Sequence, residues 1–328
     1  MYYTREQIVS GFKSLGYRFR DFTLQTEGAY QPADAEFNYA DIPHVKLIHK
    51  EFQTIPTMVE ENKLATLHLQ RALGFTFPVS VICYHHSRTQ QTSFFTFFFY
   101  MVIVSTTFEA VGQDRTRVIS DYSIGMSKWM IWIAPVVQWL LTRNYWSLMV
   151  DDIPMRERRG KLRKWGYSFL TDSRRYGYKE SMDIMKDNLC TTAATLAAPI
   201  VAQVHSILPQ DGSVLFGRDD HFGVKLTREG DSIWLHPRIC IHEGASLDSA
   251  PCRDRVLQCP WHGRQVAPIA QFKLSESSSQ VATSRYHRIE LAAGQLTIQA
   301  LPTQAEKHVT TPALRSTHDL APQNLSTL

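Results

Sequence analysis

The chain has 328 residues, enough for two domains, and 44% of them are hydrophobic, an ordinary share for a globular protein. Its formal net charge of +4 is too small to argue for nucleic acid, and no apolar run reaches the roughly 18 residues that span a bilayer. Of five cysteines, Cys240 and Cys259 each stand beside a histidine, and the scattered Cys83, Cys190 and Cys252 make a poor disulfide framework; the opening Met1-Tyr-Tyr-Thr-Arg-Glu-Gln is mixed and polar. A reducing cytoplasm is therefore expected.

Thr4 is placed to cap a helix running to Tyr17, with Ile8, Phe12 and Leu15 on one face. Asp41 can cap a second helix with Pro43 in its first turn, and Leu64 to Leu73 is a third helical candidate. Residues 76–125 read as strands separated by polar turns. Within and after them lie two greasy stretches, Phe94 to Val104 and Trp129 to Leu141. Core is the expected place for both; a cavity wall, or a surface that touches a membrane to collect an apolar substrate, is the alternative. A long amphipathic helix is expected from Pro135 towards Arg158, and another over Lys179 to Ala197. Strands followed by a long helix predict an α+β domain over residues 1–200, in which a sheet grips the helix. After Pro199 short strands and turns predict an all-β module over 201–302. Residues 303–328, rich in Thr, Gln and Pro, predict a disordered tail.

The all-β module carries Cys240-Ile-His242, then sixteen residues, then Cys259-Pro-Trp-His262. Two Cys-plus-His pairs on short loops suit a [2Fe-2S] cluster, with two thiolates on one iron and two imidazoles on the other. Neutral imidazoles in place of thiolates raise the reduction potential, so the pattern points to single-electron transfer. Zinc is the rival metal, but zinc fingers favour Cys-x-x-Cys with His-x3-5-His spacing. With Gly244 and Gly263 just after the histidines, the stretch CIHEGASLDSAPCRDRVLQCPWHGRQVAPIAQF resembles the Rieske domain of Rieske ferredoxins and oxygenases over its whole length. The resemblance implies Cys240, His242, Cys259 and His262 as cluster ligands. Cys252 has no cysteine partner nearby, which favours the oxygenase-like class over the respiratory one.

Upstream stands Asp41-Ile-Pro-His44-Val-Lys-Leu-Ile-His49. Two histidines and a carboxylate are what a mononuclear ferrous site needs, leaving open positions for dioxygen and substrate. Asp-x-x-His-x4-His resembles the mononuclear iron motif of Rieske non-haem iron oxygenases. That resemblance implies His44 and His49 as iron ligands and Asp41 as the bridge to a cluster histidine. On an ideal helix, however, a spacing of five places side chains about 140° apart. For the third ligand the family's late-helix aspartate implies Asp183, with Asp187 and Glu180 as alternatives; a direct overlay of its Glu-Asp-x-x-Ile context would place Ser181 there. Residues 1–200 also look like the START/Bet v 1 superfamily, to which the oxygenase catalytic domain belongs. Its fold encloses a hydrophobic cavity that the aromatic strand 94–100 and Trp129, Trp132 and Trp139 would suit. The domain order is the reverse of the family's usual one.

His85 and His86 end a predicted strand and so point to opposite faces, which suits structural roles. The basic run Arg156, Arg158, Arg159, Lys161, Arg163, Lys164 is either a docking surface for an acidic ferredoxin or a solvated helix end. The leading expectation is a Rieske-type oxygenase with a [2Fe-2S] cluster and mononuclear Fe(II). A ferredoxin or flavin reductase would be its electron donor and an apolar small molecule its substrate. The resemblance further implies a homo-trimer, and peripheral membrane contact is allowed. The alternative expectation is a non-catalytic START-like ligand-binding domain fused to a Rieske electron-transfer module.

Overall fold

The computed structural model describes residues 4–49, 52–72, 75–173, 177–191, 198–284 and 287–301, so the expected tail lies outside the described residues. The chain is α+β with more strand than helix. Helix α1 (Arg5–Ser14) begins where Thr4 and Gln7 satisfy each other's backbone N–H groups in a capping box. Strand β1 (Tyr17–Gly28) leads to helices α2 (Pro32–Ala40) and α3 (Ile42–Ile48). Strands β2 (Phe52–Val59), β3 (Lys63–Ala72), β4 (Phe75–Ser87), β5 (Gln90–Thr96), β6 (Tyr100–Gly112) and β7 (Arg115–Ser127) follow. They form one antiparallel sheet in the order β1-β7-β6-β5-β4-β3-β2. Helix α4 (Ala134–Lys164) packs against β1, β7 and α2.

Two expectations for this part fail. The helical candidate at Leu64 to Leu73 is strand β3 as far as Ala72, with Leu73 outside the described residues; β3 is bonded on both sides by β2 and β4 and buries alternate residues Leu64 and Thr66. The aromatic strand expected at 94–100 is not one strand. Phe97 N–H donates to Tyr100 C=O and turns it into the β5–β6 hairpin, leaving Phe98 at the tip.

Beyond α4 come β8 (Tyr167–Phe169), a single turn α5 (Tyr178–Ser181) and β9 (Leu189–Thr191), which pairs with β8. The long helix expected over Lys179 to Ala197 therefore does not form in its described part, and residues 192–197 lie outside it. Tertiary bonds decide this: the N–H groups of Asn188 and Leu189 both donate to Ile241 C=O. The remaining elements are β10 (Ile200–Gln203), α6 (Val204–Ile207), β11 (Gly212–Gly217), β12 (Gly223–Glu229) and β13 (Ser232–Pro237), then β14 (Cys252–Arg253), β15 (Val256–Gln258) and β16 (Gln265–Val266). They end with β17 (Ala270–Lys273), β18 (Gln280–Thr283), β19 (His287–Ala292) and β20 (Gln295–Ala300). Sheets β10-β20-β19-β18 and β11-β12-β13-β17 share a core that includes Val224, Leu226, Ile233, Leu235, Ile289 and Leu296.

A second core joins the two parts of the chain. Phe37, Ala40, Leu64, Met155 and Tyr178 pack with Cys240, Leu247, Leu257, Cys259 and Trp261. Beside it runs a buried ladder of polar groups between α2 and α4. Asp34, Asn38 and Asp41 follow a spacing of four and three, so they line one side of α2 and its C-cap. Asp152, Arg156, Arg159 and Arg163 do the same on α4. Arg159 Nε–H donates to Asp34 Oδ1 at 2.9 Å and its Nη1 to Glu243; Arg163 pairs with both Asp34 and Asp172. Arg156 donates to Asn38 Oδ1 from Nε and Nη2 at 2.8 and 2.6 Å. Arg156 and Arg159 are fully buried, so the basic run is largely an internal strut rather than a docking face. Replacing Arg159 by Ala leaves Asp34 and Glu243 buried with a lost partner; we expect a loss of about 3–5 kcal/mol, read as a lower midpoint in urea unfolding.

Candidate functional site

Two loops of matching form hold the Cys/His pairs. In each, the N–H of the glycine four residues after the cysteine donates back to the cysteine C=O: Gly244 to Cys240 at 2.8 Å and Gly263 to Cys259 at 2.9 Å. Both glycines have positive φ, 85° and 67°, a conformation that other residues rarely adopt. At Gly244 a Cβ would also stand 2.4 Å from Leu162 Cδ1 of α4. Arg158 ties the same loop to α4 by donating from Nε to Gly244 C=O at 2.6 Å. The turns aim four donor groups inward. Cys240, His242, Cys259 and His262 are all buried, and the two imidazoles face each other with Nδ1 atoms 3.2 Å apart.

The donor set fits a [2Fe-2S] cluster in chemistry. The hydrogen bond between the two thiols, and then burial, raises the Cys240 thiol well above the ordinary range. The same bond lowers Cys259. Burial, and then the facing His262, pushes His242 down to about 3, which keeps its ring neutral as a metal ligand requires.

From this pair a continuous line of contacts leads to the other motif. His262 Nε2–H donates to Asp41 Oδ2 at 2.5 Å. The same oxygen lies 3.4 Å from His44 Nδ1. Asp41 is fully buried and stands between α2 and α3. The expectation that it caps a helix is met in place only, because its side chain makes no cap bond and turns to the histidines instead. Burial raises the Asp41 carboxyl, but His262 and His44 outweigh it and hold the group well below the usual carboxylate range.

His44 and His49 come together with Asp152. One donor atom from each of the three lies within 4.8 Å of the others, and all three residues are buried. Nε2 of His44 and Nε2 of His49 stand 3.4 and 3.0 Å from Asp152 Oδ1. The spacing of five residues is reconciled by where α3 stops. His49 is its C-cap, with φ −90° and ψ 81°, and this unwound residue swings its ring back to 5.3 Å from that of His44. Asn38 Nδ2–H donates to Asp152 Oδ1 at 3.2 Å, and Arg156 lies 3.5 Å from Oδ2, so the polar ladder fixes the carboxylate. Burial lowers His44, but Asp152 and Asp41 outweigh it and raise the ring to about 9. Asp152 is pulled well below the usual range by His44 and His49 against its own burial. Two imidazoles and one carboxylate on a common point suit a divalent ion with open positions.

The carboxylate proposed from sequence lies elsewhere. Asp183 is exposed in the turn after α5, where it accepts a bond from Met185 N–H. Asp187 pairs with Arg264, and Glu180 with Lys186. Ser181 is buried, with its hydroxyl on Tyr178 C=O. Sequence reasoning misses Asp152 although one signal is present: a single aspartate on the side of a helix that also turns three arginines inward.

A cavity of about 230 Å³ opens beside the three residues, lined by α2, α3, α4 and strands β3 to β7. Val81, Phe95 and Val104 supply apolar wall; Thr66, Gln91, Thr106 and Ser120 supply a polar band. Thr66 Oγ1 and Gln91 Oε1 are buried there and have no hydrogen-bond partner among the described residues. Trp129, Trp132 and Trp139 do not line it; all three are exposed. His85 is buried and His86 exposed, on opposite faces of β4 as expected.

No family model matches the chain, and no curated protein matches it. Solved structures resemble part of it. A Thermus thermophilus protein is 15% identical over 41% of this chain and 95% of its own, with a TM-score of 0.37. The Zhui aromatase/cyclase of Streptomyces sp. R1128 is 9% identical over 43% and 96%, at 0.38. A START superfamily protein of Mycobacterium smegmatis is 11% identical over 42% and 97%, at 0.35. For the three-residue site, we expect Asp152→Ala to lower the Co(II) bound to metal-stripped protein by one equivalent, while Asp183→Ala retains the full amount; metal analysis after gel filtration reports both.

Proposed function

We propose that the chain is a Rieske-type non-haem iron oxygenase acting on a neutral, mainly apolar small molecule. The observation that carries this reading is the contact of Asp41 with His262 on one side and His44 on the other. A carboxylate between two buried histidines, each from a different metal-competent set, is what a two-centre enzyme requires. A simple electron carrier has no use for the second set.

Cys240, His242, Cys259 and His262 would hold a [2Fe-2S] cluster, and His44, His49 and Asp152 a ferrous ion. When bound, the first group supplies single electrons and the second activates dioxygen. The chain's own residues do the rest. Asp41 accepts the Nε2 proton of His262 and faces Nδ1 of His44 at 3.4 Å, which orients both rings and joins the two sets by one hydrogen bond and one charge contact. Asn38 and Arg156 hold the Asp152 carboxylate in place. Val81, Phe95 and Val104 give the neighbouring space an apolar wall. Neither Lys nor Arg is among the cavity-lining residues, which favours an uncharged substrate. The unsatisfied Gln91 carbonyl and Thr66 hydroxyl favour one that carries a hydrogen-bonding group. A ferredoxin or flavin reductase remains the proposed electron donor. The family's ring trimer is not needed for the two sets to meet, because Asp41 and His262 belong to one chain.

Iron analysis tests the reading. We expect about three iron atoms per chain, falling to about two in His44→Ala with the visible spectrum of the cluster unchanged. Two irons per chain, unaltered by that substitution, would overturn the oxygenase and leave a ligand-binding domain fused to an electron carrier. Asp41→Asn should keep all the iron yet slow reoxidation of the reduced cluster by dioxygen in the presence of substrate. The polar band has its own test. Gln91→Leu should weaken binding of 1-adamantanol about tenfold while leaving adamantane unaffected or tighter, measured by displacement of an environment-sensitive dye.

A further inference from the structure

For the apolar stretch Trp129 to Leu141 the expected place is core, with a cavity wall or a membrane-touching surface as the alternative, and the structure puts its largest side chains outside. Trp129, Trp132 and Trp139 are 78%, 75% and 58% exposed, and the β5–β6 tip adds Phe98, exposed in full, and Phe99. These belong to one end of the molecule, because Tyr100, just after the tip, and Met130 and Ile131, just before α4, pack against the same buried cluster of Ile124, Met126, Ala134 and Val137. Along α4 the exposed residues Val136, Trp139, Arg143, Trp146 and Val150 fall within an arc of about 80° at 100° per residue. Tyr145, Met149 and Asp152 on the opposite side line the cavity. A contiguous aromatic face of this kind marks an interaction site on a globular protein.

Charge selects the partner. From Lys128 to Val150 the sequence holds two cations, Lys128 and Arg143, and no acidic residue. Both cations sit over exposed indoles, Lys128 Nζ at 5.1 Å from the Trp129 ring and Arg143 at 5.9 Å from Trp139. A second copy docked on the same face by a twofold axis would set cations against cations, with no acid within that stretch to pair them. An anionic lipid surface meets them with opposite charge, and tryptophan and phenylalanine are the side chains that settle at the headgroup level. No described helix is long and apolar enough to cross a membrane, so the contact would be peripheral.

We propose that the β5–β6 tip and the outer face of α4 dock the protein on an anionic lipid surface, and that one helix therefore separates the lipid from the cavity. This stands whether or not the chain binds iron. The test uses the full chain and vesicles of phosphatidylcholine with and without phosphatidylserine. The expected result is cosedimentation with the mixed vesicles, weakened by salt, together with a blue shift of tryptophan emission. Trp132→Ser with Trp139→Ser should reduce the bound fraction about tenfold at unchanged melting temperature, and Lys128→Glu with Arg143→Glu should do so without removing any aromatic ring. No binding to either vesicle would overturn the proposal. So would a dimer in analytical ultracentrifugation that the double serine variant dissociates and vesicles leave intact, since the face would then be an interface between copies.

Discussion

A buried pairing of charge between two helices sets the geometry on which both metal-competent sets depend. Asp34 and Asn38 of α2 meet Arg159, Arg163 and Arg156 of α4, with the residue order running in opposite directions along the two helices. Charges this deep are costly to desolvate and are tolerated only when every partner is present. The network therefore permits one register. A slide of one turn would carry Asp152 away from His44 and His49. That register places Asp152 opposite His44 and His49, and it brings Glu243, next to His242, onto Arg159. Stability and site construction are thus the same set of bonds.

The cluster loops show the same economy on a smaller scale. Each is a short turn closed by its own backbone, with a glycine where the chain must take a left-handed conformation. Leu162 fills the space that a side chain at Gly244 would occupy, and Arg158 bonds the carbonyl of that glycine. Both residues come from α4, the helix that also carries Asp152. One rigid element thereby references the two donor sets to each other.

Much of this is legible in the sequence where chemistry is local. The Cys-x-His and Cys-x-x-His loops declare themselves because the donor atoms and the glycines lie within five residues of one another. The capping box of Thr4 and the strands of the main sheet are local too. What cannot be read depends on partners distant in sequence. Asp152 is about a hundred residues from His49, and nothing nearby distinguishes it from Asp151 except its phase with Arg156, Arg159 and Arg163. The helical pattern of Leu64 to Leu73 loses to strand pairing on both sides. The basic run looks like a surface because charge in sequence carries no label of burial. The tryptophans look like core for the converse reason.

The bond between His262 and Asp41 joins residues 221 positions apart in one polypeptide. It is made when the chain folds, not when chains assemble, so mass action does not govern it. Dilution that would separate subunits leaves it closed. Conversely, it has no existence apart from the folded chain: local opening of the core around Phe37, Cys240 and Trp261 would break the link.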